Sequence, residues 1–191
     1  MKKRLILNLV LSAMFIAIGL VLPLLTGQIQ TIGSMLLPMH IPVLLCGLIC
    51  GWQYGLVVGA VLPLMRSAIF GMPPMFPTAV AMSFELAAYG LVAGLMFGVI
   101  FGRLRKQNIG TLYVSLIAAM IAGRAVWGAA MIALMGIKGG AFTWQAFAAG
   151  AFLNAFPGII LQLVIIPPLV LALKAAHLIE FRSGKEPAQN G

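Results

Sequence analysis

Residues 77–101 read PTAVAMSFELAAYGLVAGLMFGVIF. Wound as a helix, a stretch of this length exceeds the roughly 20 apolar residues that cross a bilayer. Its one ionisable carboxylate is Glu85. The whole chain of 191 residues holds only three acidic side chains, and Glu85 is the one that falls inside an apolar stretch. An acid kept at membrane depth is costly and points to a partner or a function.

Working outward, the same apolar pattern recurs. The runs predict an all-α, polytopic membrane protein with six transmembrane helices over Leu5–Leu25, Pro38–Cys50, Tyr54–Phe70, Pro77–Phe101, Leu112–Gly136 and Ala148–Ala176. The second is short and carries Pro38 and Pro42 near its start, so a bent or partly re-entrant segment is expected there. Only Gly51-Trp52-Gln53 separates it from the third. Residues 1–181 form one membrane domain and 182–191 a short polar tail. Composition agrees: 62% of residues are hydrophobic, 8% are charged and mean hydropathy is +1.11. A soluble domain of this size could not hide that much apolar surface.

The net charge of +9 does not describe a nucleic-acid-binding surface, because the basic residues form no continuous patch. They fall where cytoplasmic anchors fall: Lys2, Lys3 and Arg4; then Arg103, Arg105 and Lys106; then Lys174, Arg182 and Lys185. Six spans put these clusters on one side, with both termini cytoplasmic. The intervening loops Thr26–Leu37, Gly71–Phe76 and Ile137–Phe147 carry one charge between them, Lys138, and lie outside. The first of these is polar and flexible, and the second is stiff with proline. The start of the chain resembles a signal peptide, yet its apolar run is longer than the 7–15 residues of such a core and no small-residue cleavage site follows. It reads as a retained first helix. Cys46 and Cys50, one turn apart, read as small apolar residues on one face, and two isolated histidines give no zinc pattern. No nucleotide-binding motif or cofactor motif occurs.

Small residues recur at a spacing of four in Gly47, Gly51, Gly55 and Gly59, in Gly90, Gly94, Gly98 and Gly102, and in Ala13 and Ala17. Such stripes let helices approach closely, usually within one chain.

Two arginines, Arg66 and Arg124, also sit within apolar runs. Arg66 is expected roughly 7 Å below the outer end of its helix and Glu85 roughly 12 Å below that of its own. Thr78, Met82, Glu85 and Tyr89 share one helical face; Met120, Arg124, Trp127 and Met131 share another. In the last helix Asn154 precedes Pro157-Gly158, where main-chain carbonyls are freed, and Gln162 follows two turns later. A charge at a helix centre costs about 2.5–3.5 kcal/mol on insertion scales. A salt bridge to Glu85 accounts for one arginine and leaves one over. A guanidinium without counter-charge suits a carboxylate or phosphate. The expectation is a pocket with one net positive charge that binds a small anionic or strongly polar molecule. Its candidate residues are His40, Arg66, Glu85, Tyr89, Arg124, Trp127 and Asn154. Trp52 and Trp144 read as membrane-interface anchors.

Several of these residues lie in familiar surroundings. Leu37-Pro38-Met39-His40-Ile41-Pro42-Val43-Leu44-Leu45-Cys46-Gly47 resembles the second-helix region of the substrate-binding S components of energy-coupling factor (ECF) vitamin transporters. Leu62-Pro63-Leu64-Met65-Arg66-Ser67, Gly71-Met72-Pro73-Pro74, Glu85-Leu86-Ala87-Ala88-Tyr89-Gly90, Gly123-Arg124 and Phe156-Pro157-Gly158-Ile159 extend the resemblance over nearly the whole chain. The resemblance implies a multi-pass protein of the bacterial cell membrane that is not an enzyme. It implies capture of a vitamin from outside under the loop after the first helix. It also implies docking on a membrane coupling subunit that carries two ATPases, and toppling within the membrane to release the vitamin inside. The family's Ala-x-x-x-Ala contact motif for the coupling subunit corresponds to Ala13-Met14-Phe15-Ile16-Ala17. The surplus arginine favours a pantothenate-like anion, with riboflavin or another vitamin as the alternative.

Two other classes compete. An intramembrane enzyme needs a nucleophile and base, or paired acids, at depth; His40 has no evident serine or cysteine partner and the chain has no aspartate. A non-transporting scaffold predicts that loss of Arg66 or Arg124 harms folding alone.

Overall fold

Six helices in chain order follow from these apolar runs in a computed structural model, which describes residues 2–26, 38–137, 143, 145 and 155–176. They are α1 (Lys2–Val21), α2 (His40–Cys50), α3 (Trp52–Phe70), α4 (Met75–Phe101), α5 (Ile109–Ile137) and α6 (Phe156–Ala175). There is no strand among the described residues. A short 3-10 turn, Leu22–Thr26, prolongs α1. Within α4 the centre Val80–Ala93 is α-helical and Gly94–Phe101 is wound more loosely.

Five of the helices are long and apolar enough to cross a bilayer; α2 is not. Its 11 residues span only about 16 Å, against a hydrocarbon core of about 30 Å. The expected sixth crossing is thus a half-length helix. Pro42 is tolerated within its first turn, where a backbone N–H would have no partner within the helix. The end is abrupt. Gly51, at φ 106°, is the single residue between α2 and α3, and only glycine takes that conformation at little cost. Trp52 already belongs to α3, so the boundary expected over Gly51-Trp52-Gln53 collapses to one position.

α2 is the core of the bundle. It packs on α1, α3 and α4 and also touches α6. Val43, Leu44 and Cys46 are fully buried. Polar contacts line its seam with α1: Asn8 donates to the Cys50 carbonyl at 3.3 Å, and Ser12 Oγ lies 3.6 Å from Cys46 Sγ. By contrast α1 exposes Leu5, Ile6, Leu7, Leu9, Val10, Met14 and Ile18. Such an apolar outer surface belongs in lipid.

The glycine stripes do what their spacing predicts in α2, in α3 and at the first two glycines of the stripe in α4. A Cβ on Gly47, Gly55 or Gly90 would overlap the backbone of the facing helix, and one on Gly94 would overlap that of Trp52. Gly98 has open space around it and belongs to no such contact. This seam also fixes the register of α3 against α4. Gly55 meets Gly90, Gly59 meets Leu86 and Ala87, and Ser83 Oγ donates to the Ala60 carbonyl. Residue numbers at one level therefore add to about 145. Arg66 lies level with Ala79, some six residues or roughly 9 Å along the axis from Glu85.

At the opposite end of α4 the chain turns into α5 through a reciprocal cap. Asn108 Oδ1 accepts from the Thr111 backbone N–H, and Thr111 Oγ1 accepts from the Asn108 N–H, each at 2.9 Å.

Candidate functional site

A lone carboxylate among apolar helices collects whatever cations and donors can reach it. Glu85, on α4 and 2% exposed, receives two. Arg124 of α5 places Nη1 at 2.9 Å from Glu85 Oε1, and His40 at the start of α2 places Nε2 at 3.4 Å from the same oxygen. Tyr89, one turn along α4 from Glu85, sets its ring edge-on to His40, with centroids 4.9 Å apart and planes at 81°. The ring lies directly against Gly123, where any Cβ would overlap it. Gly123 thus lets α5 come close enough for its neighbour Arg124 to reach Glu85. Three helices meet in one polar knot, with His40 and Glu85 buried in the bundle.

The knot is not saturated. Arg124 is 6% exposed, yet its Nε and Nη2 have no hydrogen-bond partner. Neither do His40 Nδ1 and the Tyr89 hydroxyl. Arg124 and Tyr89 are close enough to interact electrostatically, though not in hydrogen-bonding geometry. On α6, Gln162 is fully buried with both amide atoms unpaired. Most buried polar groups in native proteins are satisfied, and each unpaired one costs about 1–3 kcal/mol. Six such atoms on four of the described residues need a cause.

Arg66 stands apart. It is 5% exposed on α3, and its Nη1 donates at 2.9 Å to the Leu20 carbonyl near the end of α1. Its guanidinium lies over the Phe70 ring, 5.4 Å from the centroid. The sequence near Leu20 explains the attraction. α1 gives way there to a 3-10 turn, in which the Leu20 carbonyl would take the N–H of Pro23, and proline has none. A positive group at a helix C-terminus is also favoured by the helix dipole. Arg66 therefore serves as a cap.

Of the seven expected binding residues, the structure brings His40, Glu85, Tyr89 and Arg124 together and puts Arg66 elsewhere. Trp127 is half-buried, one turn along α5 from Arg124. Asn154 lies outside the described residues, as does Trp144. Gln162 joins the buried polar set; a glutamine in the midst of an apolar run was its signal. Ala13 and Ala17 are both exposed, on the outward face of α1. Unlike Gly47, Gly55 and Gly90, they are not buried against another helix among the described residues.

Among known protein families, the model described as "ECF transporter, substrate-specific component" matches residues 7–170. No curated protein and no solved structure matches the chain.

Proposed function

The chain belongs to the family of ECF transporter substrate-specific components, and from that membership we propose how it works. It captures a vitamin-sized polar molecule at the knot of His40, Glu85, Tyr89 and Arg124. It then delivers that molecule through a membrane coupling subunit driven by two ATPases. The observation that carries the site is Arg124: a guanidinium almost wholly buried, with one edge on Glu85 and the other edge unpaired. A structural salt bridge explains the first edge. A ligand explains the second.

Orientation follows from charge. Arg103, Arg105 and Lys106 sit at the turn from α4 to α5, and Lys174 lies in the last turn of α6. With Lys2, Lys3 and Arg4 they support a reading in which this end and both termini face the cytoplasm of a bacterial cell and the Phe70 end faces outside. The ligand enters from the Phe70 end. Ala13 and Ala17, small and exposed on α1, offer a close-packing face for the coupling subunit.

The count of charges favours a pantothenate-like anion, with riboflavin or another vitamin as the alternative. The placement of those charges bears on the choice, since Glu85 sits on Arg124 and Arg66 is turned to Leu20.

Purification in detergent followed by mass spectrometry of co-purified small molecules tests the reading. Retention of a vitamin by the wild-type protein, and its loss from an Arg124→Ala variant that still inserts and purifies, supports capture. No retained molecule and no binding across a vitamin panel would leave a membrane scaffold.

A further inference from the structure

The unpaired groups at the knot have a definite hydrogen-bonding character. Arg124 Nε and Nη2 are donors only, held side by side in the fixed plane of the guanidinium. The Tyr89 hydroxyl donates or accepts. In the neutral ring whose Nε2–H donates to Glu85, His40 Nδ1 is an acceptor. The centre thus offers donors and acceptors together on at least three helices.

Its charge is already balanced. Arg124 and Glu85 cancel at 2.9 Å, and the guanidinium left over in the count, Arg66, lies roughly 9 Å away along the bundle with its own carbonyl partner. A carboxylate or phosphate on the free edge of Arg124 would be a second anion on the same guanidinium, a few ångströms from Glu85 in a site of low dielectric. It would also leave the acceptor His40 Nδ1 without a donor, because an anion has none to give. An amide or ring-imide edge answers both kinds of group and adds no charge.

On the capture reading above, we propose that the ligand group seated at this knot is uncharged and carries acceptors and donors side by side, as an amide, imide or pyrimidine-like edge does. A carboxylate or phosphate on the same molecule, if it has one, lies away from the knot.

Matched pairs of probes test this on the purified full-length protein by equilibrium dialysis: nicotinamide with nicotinate, pantothenol with pantothenate, biotinamide with biotin, and riboflavin with riboflavin 5′-phosphate. In the pair that binds, the uncharged member is expected to bind at least tenfold more tightly. Glu85→Gln, which leaves Arg124 with its charge uncancelled, is expected to narrow or invert that preference by about tenfold. Tighter wild-type binding of the charged member overturns the inference and leaves capture standing. Equal binding of both members also overturns it. Binding of none of the eight probes counts against capture itself, and the inference falls with it.

Discussion

Arg66 and Arg124 look alike in the sequence and are nearly equally buried, yet they do different work. Arg66 is held by a carbonyl at the end of α1 and by the Phe70 ring, and it pairs with no carboxylate among the described residues. Arg124 is held by a carboxylate and keeps half its donors unused. Burial of a cation therefore does not by itself mark a binding site. What marks one is a donor edge that the protein leaves unanswered at a point where several helices converge. The arginine without a carboxylate partner among the described residues is Arg66, which is held by the Leu20 carbonyl, and the arginine with an unpaired edge is the one whose charge Glu85 cancels.

The sharpest way to separate the two arginines is to remove each in turn. Arg124→Gln is expected to weaken ligand binding at least 100-fold, since truncating one partner of a buried, hydrogen-bonded charge pair costs about 2–5 kcal/mol. Arg66→Gln is expected to leave affinity within about threefold. Titration of the retained ligand against both purified variants checks this.

Next in size is the coupling between Glu85 and Arg124. Glu85→Gln leaves a buried guanidinium uncompensated and is expected to lower stability in detergent by about 3–5 kcal/mol. The double variant Glu85→Gln with Arg124→Gln is expected to be more stable than the two single losses added together. A thermal-unfolding double-mutant cycle reads the coupling, and simple additivity would mean that the two groups do not support each other.

Arg66→Gln should cost about 1.5–3 kcal/mol, the worth of a hydrogen bond from a charged donor. Its cause is specific. In a Pro23→Ala background the chain supplies its own N–H to Leu20, and the penalty for Arg66→Gln is expected to shrink by half or more. An unchanged penalty would show that the capping explanation is wrong.

The smallest effect is Tyr89→Phe. It removes one unpaired hydroxyl and keeps the ring against Gly123, so stability should change by under about 1 kcal/mol, while ligand affinity falls three- to tenfold. Unfolding and binding measured on the same preparation separate the two.

Much of this was legible in the residue order. The long apolar runs announce five of the six helices, because a bilayer leaves little choice for a stretch of that length. The glycine stripe announces the seam of α2, α3 and α4. Gly51 shares the spacing but serves the one-residue turn at φ 106°, with nothing packed against it, which spacing alone does not reveal. The half-length of α2 was signalled only by Pro38 and Pro42. Charge logic gave Glu85 one of the two buried arginines as its partner. What could not be read was which arginine would pair. That depends on register: Gly55 against Gly90 carries Arg66 past Glu85, while Gly123 brings Arg124 to it. The partner of Arg66 is a main-chain oxygen, invisible to any pattern of side chains, although Pro23 hints that a carbonyl nearby lacks its donor. The alanine pair of α1 shares the spacing of the glycines, and only the fold separates a stripe that packs inward from one that faces out.

The most direct measurement is the affinity of the ligand that co-purifies with the wild-type protein, determined side by side for wild type, Arg124→Gln and Arg66→Gln. The account predicts that Arg124→Gln loses the ligand and Arg66→Gln holds it nearly as well as wild type, at lower thermal stability. Equal retention by both variants, or loss in Arg66→Gln alone, would contradict it.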